Sequence, residues 1–438
     1  MILVFGLGRS GIATSRLLAK QGHSFEVYDD KPDPAQVSEV TALGGKFTAT
    51  PLESSAHLCI AAPGVPLTHP GLQALTDKGV EIIGEVEWVY RTVKTPLIGI
   101  TGTAGKGSVT RWLCDVLVSA GKDAVAGGNI DPALAEVALD HEVLVAELSS
   151  FQLERCPTLK PRIAVVLNLG QDHIDRHGSL EHYHEAKRAI IQNQDATDTF
   201  IYNADDPKLK DWAKTSSAKC LGFSLEQEAD AYLKGDCLML GTEALLQVSS
   251  LQVAGKHQFA NALAVALAAR VSGLESAEIR LGLTAFQGLE GRYALAGTRG
   301  HIRFIEDSIA TRTLAVKAAL EATEPPIVWI AGGEDKGADF GAISELIRER
   351  VSLFVGMGKS GQSFAQKVAH LTQTSVCLEP QGSLALGSAV KTAVSHLEQN
   401  HQARGTVLFA PLAASFDQFK DYKDRAKQFR QVVKEWEK

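Results

Sequence analysis

The sequence predicts an α/β protein with mostly parallel sheets, arranged in three domains. The segment PLIGITGTAGKGSVT, residues 96–110, contains an apolar run, a glycine-rich turn and the start of a helix with a 3.6-residue apolar period. The N-terminus, MILVFGLGRSG, repeats the order of apolar run and glycine-rich turn. Farther along the chain, short apolar runs alternate with helical patterns, and that alternation is typical of parallel sheets covered by helices.

Residues 1–92 are expected to form a Rossmann-like domain. A strand from Ile2 to Phe5 precedes GLGRSG, and a second strand, Ser24 to Tyr28, ends in the acidic pair Asp29-Asp30. Glycines at this spacing let a phosphate approach the N-terminus of a helix. The motif alone leaves three interpretations open: binding of NAD, binding of another diphosphate such as that of a nucleotide sugar, and a turn without a ligand.

The glycine-rich turn of the second segment is expected to bind a nucleoside triphosphate. Gly102 and Gly105 let backbone N–H groups face phosphate oxygens, and Lys106 adds a positive charge that can reach the β- and γ-phosphates. A P-loop ordinarily has Ser or Thr directly after the lysine as a ligand of Mg²⁺. Gly107 stands there and Ser108 follows, so the loop is unusual. A glycine turn with only a structural role is the alternative.

Residues 93–288 are expected to form a central domain of the P-loop ATPase type. Its predicted strands are Leu97–Thr101, Val143–Leu148, Ile163–Asn168 and Thr199–Asn203. Ligands of such sheets bind at the carboxyl ends of the strands. Glu147 lies at one such end, so it is a candidate ligand of Mg²⁺, with an arrangement that caps a helix as the alternative.

The run NLGQDHIDRHGSLEHYHEAKRAI is dense in polar side chains and directly follows an apolar strand. Asp172, His173 and Asp175 could bind a divalent cation or orient a water molecule. Alternatively, the run is a solvated loop in which Asp175 or Ser179 caps the next helix. Lys187 lies on that helix, and from the residues alone we expect it to be a solvated surface charge.

Residues 289–438 are expected to form a second Rossmann-like domain. Its predicted strands are Ile302–Ile305, Pro326–Ala331, Leu353–Val355 and Thr406–Phe409. In EDSIATR, Asp307 and Ser308 either cap a helix that begins at Ala310, or Asp307 binds a ribose and Thr311 binds the substrate.

Two further segments of this domain are candidates for binding carboxylates. GGEDKGADF presents Lys336 from a glycine turn, where it can act as a point charge. PLAASFDQFKDY is expected to begin a helix at Ser415, whose hydroxyl and neighbouring N–H groups could bind a second carboxylate.

Composition and charge exclude several classes of protein. A net charge of −7 argues against a surface that binds nucleic acid. Six scattered cysteines without a CxxC pair fit a reducing cytosol, and they argue against a disulfide framework or a zinc site. There is no apolar run of about 18 residues and no basic segment of a signal peptide. We therefore expect a protein without a membrane span that suits a reducing cytosol, and we also expect a monomer.

Motifs along nearly the whole chain resemble those of the Mur ligases of peptidoglycan synthesis in order and spacing. They are GITGTAGKGSVT, ELSSFQLE, NLGQDHIDRHGS with YHEAK, GKHQFAN, Gly291-Arg292, DSIAT, GGEDKGADF and ASFDQFKDYKDR. The combination of ELSSFQLE, DHIDRHGS and ASFDQFKDY is most similar to the D-glutamate-adding members of that family. The joint occurrence of these motifs is more specific than any one of them.

The resemblance implies an ATP-dependent ligase that joins D-glutamate to UDP-N-acetylmuramoyl-L-alanine. ATP would be the co-substrate that phosphorylates the substrate carboxylate. The amine of D-glutamate would then attack the acyl phosphate, and phosphate would leave from a tetrahedral intermediate. Two Mg²⁺ ions and Lys106 would offset the charge between the carboxylate and the γ-phosphate.

The resemblance also implies roles for individual residues. Those expected to contact ATP are Gly102, Thr103, Gly105, Lys106, Gly107, Ser108, Asn261, Arg292 and Asp307. Those expected to contact the UDP-sugar substrate are Gly8, Arg9, Ser10, Asp29, Asn129 and Gln152. Those expected to contact D-glutamate are Thr311, Lys336, Ser415 and Tyr422. The expected metal ligands are Ser108, Glu147, His173 and Lys187, and the expected catalytic residues are Lys106, Glu147, His173 and Lys187. Lys187 falls where the family carries a carbamylated lysine.

The chain departs from the pattern of the family at four places. Gly107-Ser108 replaces a Ser/Thr pair and is similar to the P-loop of folylpolyglutamate synthases, so Ser108 is expected to supply the magnesium hydroxyl. Ile309 stands where the family has a lysine in DSKAT, which removes one cation near the phosphate or the amino acid. Gln258 replaces an asparagine, and Gly291 replaces a histidine.

Three other functions are weighed against this one. An amide ligase with a different amino acid or acyl substrate, as in folylpolyglutamate synthases, fits the P-loop, but folate ligases lack the first domain. An NAD-dependent dehydrogenase would use the first domain and would leave Lys106, Glu147 and His173 without a role. A nucleotide-gated switch protein would not need two further domains with convergent polar groups.

Overall fold

The computed structural model describes residues 1–253, 255–289, 291–335, 337–380 and 382–436. Lys336, a candidate ligand of D-glutamate, lies outside these described residues. The chain divides into two compact units: residues 1–251 with 259–286, and residues 252–258 with 287–438. Two sheets lie in the first unit and one in the second, and the sheets are mostly parallel, as the sequence predicts.

The first sheet is entirely parallel and has the strand order β3-β2-β1-β4-β5. Its strands are β1 Ile2–Phe5, β2 Phe25–Tyr28, β3 Lys46–Phe47, β4 Leu58–Ala61 and β5 Glu81–Ile83. Its helices are α1 Arg9–Lys20, α2 Pro34–Ala42, α3 Pro70–Asp77 and α4 Glu85–Thr92. Because β1 lies at the centre with helices on either side of the sheet, all four of its residues are buried. This order is the doubly wound Rossmann order, in which ligands bind where the strand order reverses, between β1 and β4.

The second sheet has nine strands in the order β14-β13-β12-β11-β10-β9-β6-β8-β7. They are β6 Leu97–Thr101, β7 Ala124–Gly128, β8 Val143–Glu147, β9 Ile163–Val166, β10 Thr199–Asn203, β11 Lys219–Ser224, β12 Ala231–Lys234, β13 Cys237–Leu240 and β14 Glu243–Gln247. Only β12-β13 and β13-β14 pair antiparallel among the described residues. Three polar-rich loops therefore leave the same edge of the sheet, after β6, β8 and β9.

The helices around the second sheet begin with α5, which follows the glycine-rich turn. They are α5 Lys106–Ser119, α6 Ser150–Leu153, α7 Ile174–His177, α8 Leu180–Arg188, α9 Pro207–Thr215, α10 Lys256–Val271 and α11 Ser276–Ala285. Trp112 of α5 is fully buried and stacks on Phe286, with ring centroids 4.5 Å apart. This packing holds α5 in place, and the first turn of α5 directly follows the glycine-rich turn.

The third sheet lies in the second unit and has the order β15-β16-β20-β17-β18-β19. Its strands are β15 Ala294–Arg299, β16 His301–Glu306, β17 Ile327–Gly332, β18 Val351–Met357, β19 Gln373–Cys377 and β20 Arg404–Phe409. Its helices are α12 Thr313–Ala322, α13 Ser344–Arg350, α14 Gly361–Val368, α15 Gly382–Asn400 and α16 Tyr422–Lys434. All its pairings except β15-β16 are parallel, so the loops after β16, β17 and β20 lie at one edge.

Candidate functional site

The glycine-rich turn after β6 has the backbone conformation expected of a phosphate-binding loop, and it leads directly into α5. Gly102 and Gly105 have φ values of 154° and 83°, in the region that favours glycine. The side chain of Asn168, just beyond β9, holds the loop: its Oδ1 accepts from the N–H of Thr103 at 3.0 Å and of Ala104 at 2.9 Å. Its Nδ2 donates to the carbonyl of Ala104 at 3.1 Å. The side chain of Asn168 therefore ties the loop to the end of β9.

The hydroxyl of Thr103 joins the loop to the segment after β9. Thr103 Oγ1 accepts from the N–H of Gly170 at 2.8 Å and lies 3.3 Å from the hydroxyl of Tyr183. Ser108 is buried in the first turn of α5, near the positive end of that helix dipole. These contacts place the candidate magnesium hydroxyl and the P-loop backbone at the same strand end.

Two lysines converge on the P-loop. Lys106 Nζ donates to the carbonyl oxygens of Gly102 at 2.9 Å and Thr103 at 3.2 Å, and Lys187 Nζ donates to that of Gly102 at 2.9 Å. Lys187 is only 1% exposed, so the expectation of a solvated surface charge is wrong. The helix α8 packs this side chain inward against the ring of Tyr183, 4.6 Å away. Its helical position alone could not reveal that.

The electrostatics of Lys187 show which charges surround it. Burial and then the charge of Lys106 lower its pKa to about 7. Asp172 and Glu147 oppose that shift because they are anionic. Lys187 therefore interacts with three other ionisable groups named from the sequence, at the ends of β6, β8 and β9.

Glu147 has the features of a cation ligand. It is 3% exposed; its Oε1 accepts from Asn129 Nδ2 at 2.7 Å, and its Oε2 is buried without a hydrogen-bond partner. A buried carboxylate oxygen without a donor is costly, and a cation would satisfy it. The described residues contain no group of three or more His, Cys, Asp and Glu side chains arranged to hold a metal. A cation here would also need phosphate or water ligands, as is usual for Mg²⁺.

The segment after β9 contains a residue that caps a helix and also polar side chains of the kind that can bind a cation, the two alternatives that the sequence suggests. Ser179 caps α8 by accepting from the N–H of His182, as one interpretation predicts. His173 has a left-handed backbone, with φ of 51°, and its Nε2 lies 3.4 Å from Asp172 Oδ2. The ring of His173 lies 4.8 Å from that of Phe151. Ser179 therefore caps α8, while Asp172 and His173 lie side by side just before α7.

One cavity gathers the residues assigned to the UDP-sugar. It has a volume of about 430 Å³ and lies at the reversal of strand order in the first sheet, against the loops after β7 and β8. Its lining includes Gly8, Arg9, Ser10, Asp29, Asn129 and Gln152. All six residues that the resemblance assigns to the UDP-sugar therefore border one space.

Polar contacts fix the walls of this cavity. Arg9 donates to the carbonyl oxygens of Gly128 at 3.2 Å and Asn129 at 3.0 Å, and Asp29 Oδ2 accepts from the N–H of Leu7 at 2.6 Å. Ser10 donates to the buried Glu85, whose pKa burial raises. These contacts tie the loop after β1 and the start of α1 to Asp29, to Glu85 and to the end of β7.

Gln152 and Asn261, two further candidate binding residues, also lie in the first unit. Gln152 is buried and forms a capping box with Ser149 at the start of α6, so its side chain is held by that helix. Asn261 is buried on α10 beside the P-loop, since a Cβ added at Gly105 would lie 2.9 Å from its Oδ1. The close approach of Asn261 gives Gly105 a second reason to be glycine.

In the second unit, Asp307 and Arg292 lie close enough to affect each other. Asp307 is buried after β16, and burial followed by the charge of Glu306 raises its pKa to about 8, while Arg292 opposes that shift. Thr311 is half-buried on the same loop. Tyr422 lies beside Gly291, because a Cβ added there would come within 3.8 Å of its ring.

Two helix starts expected in this unit are wrong. The helix after Asp307 begins at Thr313, and its N-cap is Arg312, without a side-chain cap. Ser415 begins a turn in which its carbonyl accepts from the N–H groups of Gln418 and Phe419, and the helix begins only at Tyr422, capped by Asp421. Ser415 is nevertheless buried at a strand end.

Glu306 and Arg425 position these loops, and sequence reasoning missed both. Glu306 accepts from the N–H of Gly291 at 2.8 Å and of Ser308 at 2.6 Å. Arg425, 1% exposed, donates to the carbonyls of Ser308 at 2.7 Å and Ala413 at 3.1 Å. Burial lowers its pKa to about 10. No local motif signals these roles, because both depend on loops distant in sequence.

The fold and site define a P-loop nucleotide-binding protein with a second polar cavity at the strand ends of an adjoining Rossmann-like sheet. Residues 1–84 match the family model for the Mur ligase MurD-like N-terminal domain, and residues 100–269 match that for the Mur ligase middle domain. The chain belongs to the Mur ligase family. This assignment replaces the dehydrogenase and switch-protein interpretations.

Three curated relatives, all named UDP-N-acetylmuramoylalanine--D-glutamate ligase, are similar over almost their full length. The protein of Thermus thermophilus is 44% identical, with 99% of this chain and 97% of the relative covered. That of Deinococcus radiodurans is 39% identical, with coverage of 99% and 91%, and that of Myxococcus xanthus is 37% identical, with coverage of 99% and 97%.

Solved structures share the fold at lower identity. The UDP-N-acetylmuramate-alanine ligase of Thermotoga maritima has a TM-score of 0.58 at 19% identity, with 99% of each chain covered. A pseudomurein peptide ligase type C from Methanothermus fervidus has a TM-score of 0.61 at 18% identity, also with 99% of each chain covered. Among the described residues, no helix is both long and apolar enough to span a membrane.

Proposed function

We propose that this chain joins D-glutamate to UDP-N-acetylmuramoyl-L-alanine with hydrolysis of ATP to ADP and phosphate. The observation that carries the proposal is the 44% identity, over 99% of the chain, to a relative named for that reaction. The geometry of the first unit supports it, because one cavity and one P-loop lie at the strand ends of adjoining sheets. Since the proposed substrates are cytoplasmic metabolites, we also propose a cytoplasmic enzyme.

The UDP-sugar is assigned to the cavity of the first sheet. A diphosphate there would lie at the N-terminus of α1, where the helix dipole and free N–H groups favour an anion. Arg9 supplies a positive charge, and Asp29 can accept from a ribose or uracil donor. Asn129 and Gln152, from the loops after β7 and β8, would contact the muramoyl-alanine portion, whose carboxylate must face the P-loop.

ATP is assigned to the P-loop, with Lys106 against its β- and γ-phosphates and Asn261 beside the loop. The orphaned Oε2 of Glu147 fits a divalent cation, and Ser108, His173 and a modified Lys187 would supply the protein's other ligands of two Mg²⁺ sites. When bound, Mg²⁺ would offset the negative charge on the phosphates and on the incoming carboxylate. Arg292 and Asp307 would bind the nucleoside part of ATP.

Lys187 is assigned as a carbamate ligand of the second Mg²⁺. A carbamate forms when the lysine ammonium gives up one proton, the neutral amine bonds to the carbon of CO₂, and the adduct loses a second proton, so that a cation becomes an anion. The burial of Lys187 beside the P-loop and the resemblance to the family support this modification. Labelled bicarbonate tests it: wild-type protein should show a carbamate carbon signal that Lys187→Arg lacks.

D-glutamate is assigned to the loops of the second unit. Thr311, Ser415 and Tyr422 would contact it, and Lys336 would supply a positive charge for one of its carboxylates. The loops that carry Thr311 and Ser415 are tied together by Arg425, which donates to carbonyls of both. Ile309 stands where the family has a lysine, so this chain has one cation fewer near the phosphate or the amino acid.

The reaction then has two transfers. The carboxylate oxygen of the acyl substrate bonds to the γ-phosphorus while the bond to ADP breaks, which gives an acyl phosphate. The amine nitrogen of D-glutamate bonds to the acyl carbon and loses a proton, and phosphate leaves with the electron pair of the broken C–O bond. Lys106 and the P-loop N–H groups stabilise the charge that develops on the transferred phosphoryl group.

An isotope experiment tests this chemistry directly. The acyl substrate is labelled with oxygen-18 in its carboxylate and turned over with ATP, Mg²⁺ and D-glutamate. The proposal predicts one labelled oxygen in each phosphate released and an amide product of the expected mass. Unlabelled phosphate would contradict the acyl-phosphate route.

A further inference from the structure

Two arginines, from α7 and from the segment just after α6, hold a loop that lines the UDP-sugar cavity. This loop, Ala62–Val65, is here called the cavity loop, and all four of its residues line the cavity. Arg155 donates to the carbonyl of Ala62 at 2.8 Å and to that of the last residue. Arg176 donates to the carbonyls of Pro63 at 3.4 Å, Gly64 at 3.5 Å and Val65 at 3.2 Å, so both arginines donate to Val65. Every carbonyl of the cavity loop thus accepts from a guanidinium.

Arg176 also touches the residues next to the candidate metal ligand. Its guanidinium carbon lies 4.7 Å from the ring centroid of Phe151, which lines the same cavity. The ring of Phe151 also lies close to the ring of His173, with the two ring centroids 4.8 Å apart. Arg176 is three residues from His173 and its backbone N–H donates to the carbonyl of His173 at 3.1 Å. Arg176 therefore contacts both the wall of the UDP-sugar cavity and the chain segment that carries His173, a candidate metal ligand.

A buried chain of hydrogen bonds keeps Arg176 in place. Its Nη2 lies 3.4 Å from Glu154 Oε2, and Glu154 Oε1 lies 3.0 Å from His177 Nδ1. His177 Nε2 lies 3.0 Å from Ser150 Oγ. Burial lowers the pKa of His177, which fits a neutral ring that donates to Glu154 and accepts from Ser150. The chain joins α7 to α6, the elements that follow His173 and Glu147.

We propose that Arg176 is a positioning residue that couples the acyl-substrate cavity to the nucleotide and metal site. A ligand that orders the cavity loop also fixes Arg176, and Arg176 then holds His173 and Phe151 in one arrangement. Coupling between two sites is reciprocal, so each ligand would tighten the binding of the other by the same factor. This inference rests on the proposed function, since it takes the UDP-sugar and ATP as the two ligands.

The test is a cycle of equilibrium binding measurements without turnover. The affinity for a non-hydrolysable ATP analogue with Mg²⁺ is measured with and without saturating UDP-N-acetylmuramoyl-L-alanine. In wild-type protein the acyl substrate is expected to tighten nucleotide binding by about fivefold or more. In Arg176→Lys, which keeps the charge and loses the planar fork, this factor should fall to nearly one. Nucleotide affinity measured alone should change by less than about twofold.

Two further variants make the result decisive. Glu154→Gln removes the carboxylate that anchors Arg176 and should reduce the coupling in the same way. Arg188→Lys is the matched control, because Arg188 lies on α8 and bonds to Thr215 and Glu185, away from the cavity loop. It should keep the wild-type factor. Melting curves establish that all three variants are folded.

The outcomes separate this inference from the proposed function. If wild-type protein binds neither ligand, the proposed function fails. If it binds both but shows no coupling, or if both Arg176→Lys and Glu154→Gln keep the wild-type factor, the coupling role of Arg176 is overturned while the proposed function stands.

Discussion

Lys106 and Lys187 donate to the same acceptor, the carbonyl oxygen of Gly102, and each does so at 2.9 Å. Lys106 comes from the start of α5 and Lys187 from the end of α8, so two chain segments meet at this one oxygen. The two lysine nitrogens therefore both lie against the backbone of the glycine-rich turn.

Replacing Lys106 should abolish ligation. Lys106→Met removes the positive charge assigned to the γ-phosphate, and we expect phosphate release to fall by at least about 100-fold. The control is Lys208→Met, since Lys208 pairs with Glu181 on the surface of the same unit. Near wild-type turnover in Lys106→Met would remove the assignment of the P-loop.

Replacing Asn168 should disorder the P-loop. Asn168→Ala removes two acceptor contacts and one donor contact with the loop, each worth about 1 kcal/mol. We expect affinity for an ATP analogue, measured by calorimetry, to fall by about tenfold or more. Asn193→Ala is the control, because Asn193 donates to two carbonyls elsewhere in the unit. Equal affinity in the two variants would contradict the role of Asn168.

Glu147→Gln should raise the requirement for Mg²⁺. The glutamine can still accept from Asn129, but the negative charge at the orphaned oxygen is lost. Since interactions with charged groups contribute about 1.5–3 kcal/mol, half-maximal activity should need at least about tenfold more Mg²⁺. Glu142→Gln, at an exposed position just before the same strand, should titrate like wild-type protein. An unchanged Mg²⁺ titration of Glu147→Gln would exclude Glu147 as a ligand.

Asp307 should make the stability of the protein depend on pH. Its pKa is about 8 in the folded chain, against about 4 when unfolded, so the folded state binds more protons between these values. The free energy of unfolding must therefore lose a contribution as the pH rises through that range. Asp307→Asn removes this loss, because asparagine does not titrate.

The measurement is denaturant unfolding at two pH values. The stability of Asp307→Asn relative to wild-type protein should increase by more than about 1 kcal/mol from about pH 5 to about pH 9. Asp339→Asn, at an exposed position in the same unit, serves as the control. If the stability of Asp307→Asn relative to wild-type protein stayed constant over this pH range, the pKa of Asp307 would not be raised in the folded protein.

The parts of the fold predicted from sequence are those with strong local signals. The strands Ile2–Phe5, Leu97–Thr101 and Thr199–Asn203 have the predicted bounds, because each is a short apolar run followed by a turn. The strands Ala231–Lys234, Cys237–Leu240 and Glu243–Gln247 were not predicted. Their residues are only partly buried and alternate weakly, since they form the edge of the sheet.

The candidate site likewise divides into residues that local sequence signals predict and residues whose roles depend on distant segments. Glycine spacing and the lysine indicate the P-loop, because that geometry is local in sequence. The burial of Lys187 and the contacts of Arg176 with the cavity loop depend on how distant segments pack. The expected helix start at Ser415 is wrong because a hydroxyl before polar residues is equally compatible with a turn.

The most direct test of the account is phosphate release with ATP, Mg²⁺ and UDP-N-acetylmuramoyl-L-alanine, with single amino acids added in turn. The account predicts release that depends on D-glutamate and is absent with L-glutamate or without an amino acid. Release with another amino acid would keep the ligase chemistry and contradict the assigned specificity. No release with any amino acid would contradict the proposed acyl substrate, and a folate would then be the acyl substrate to try.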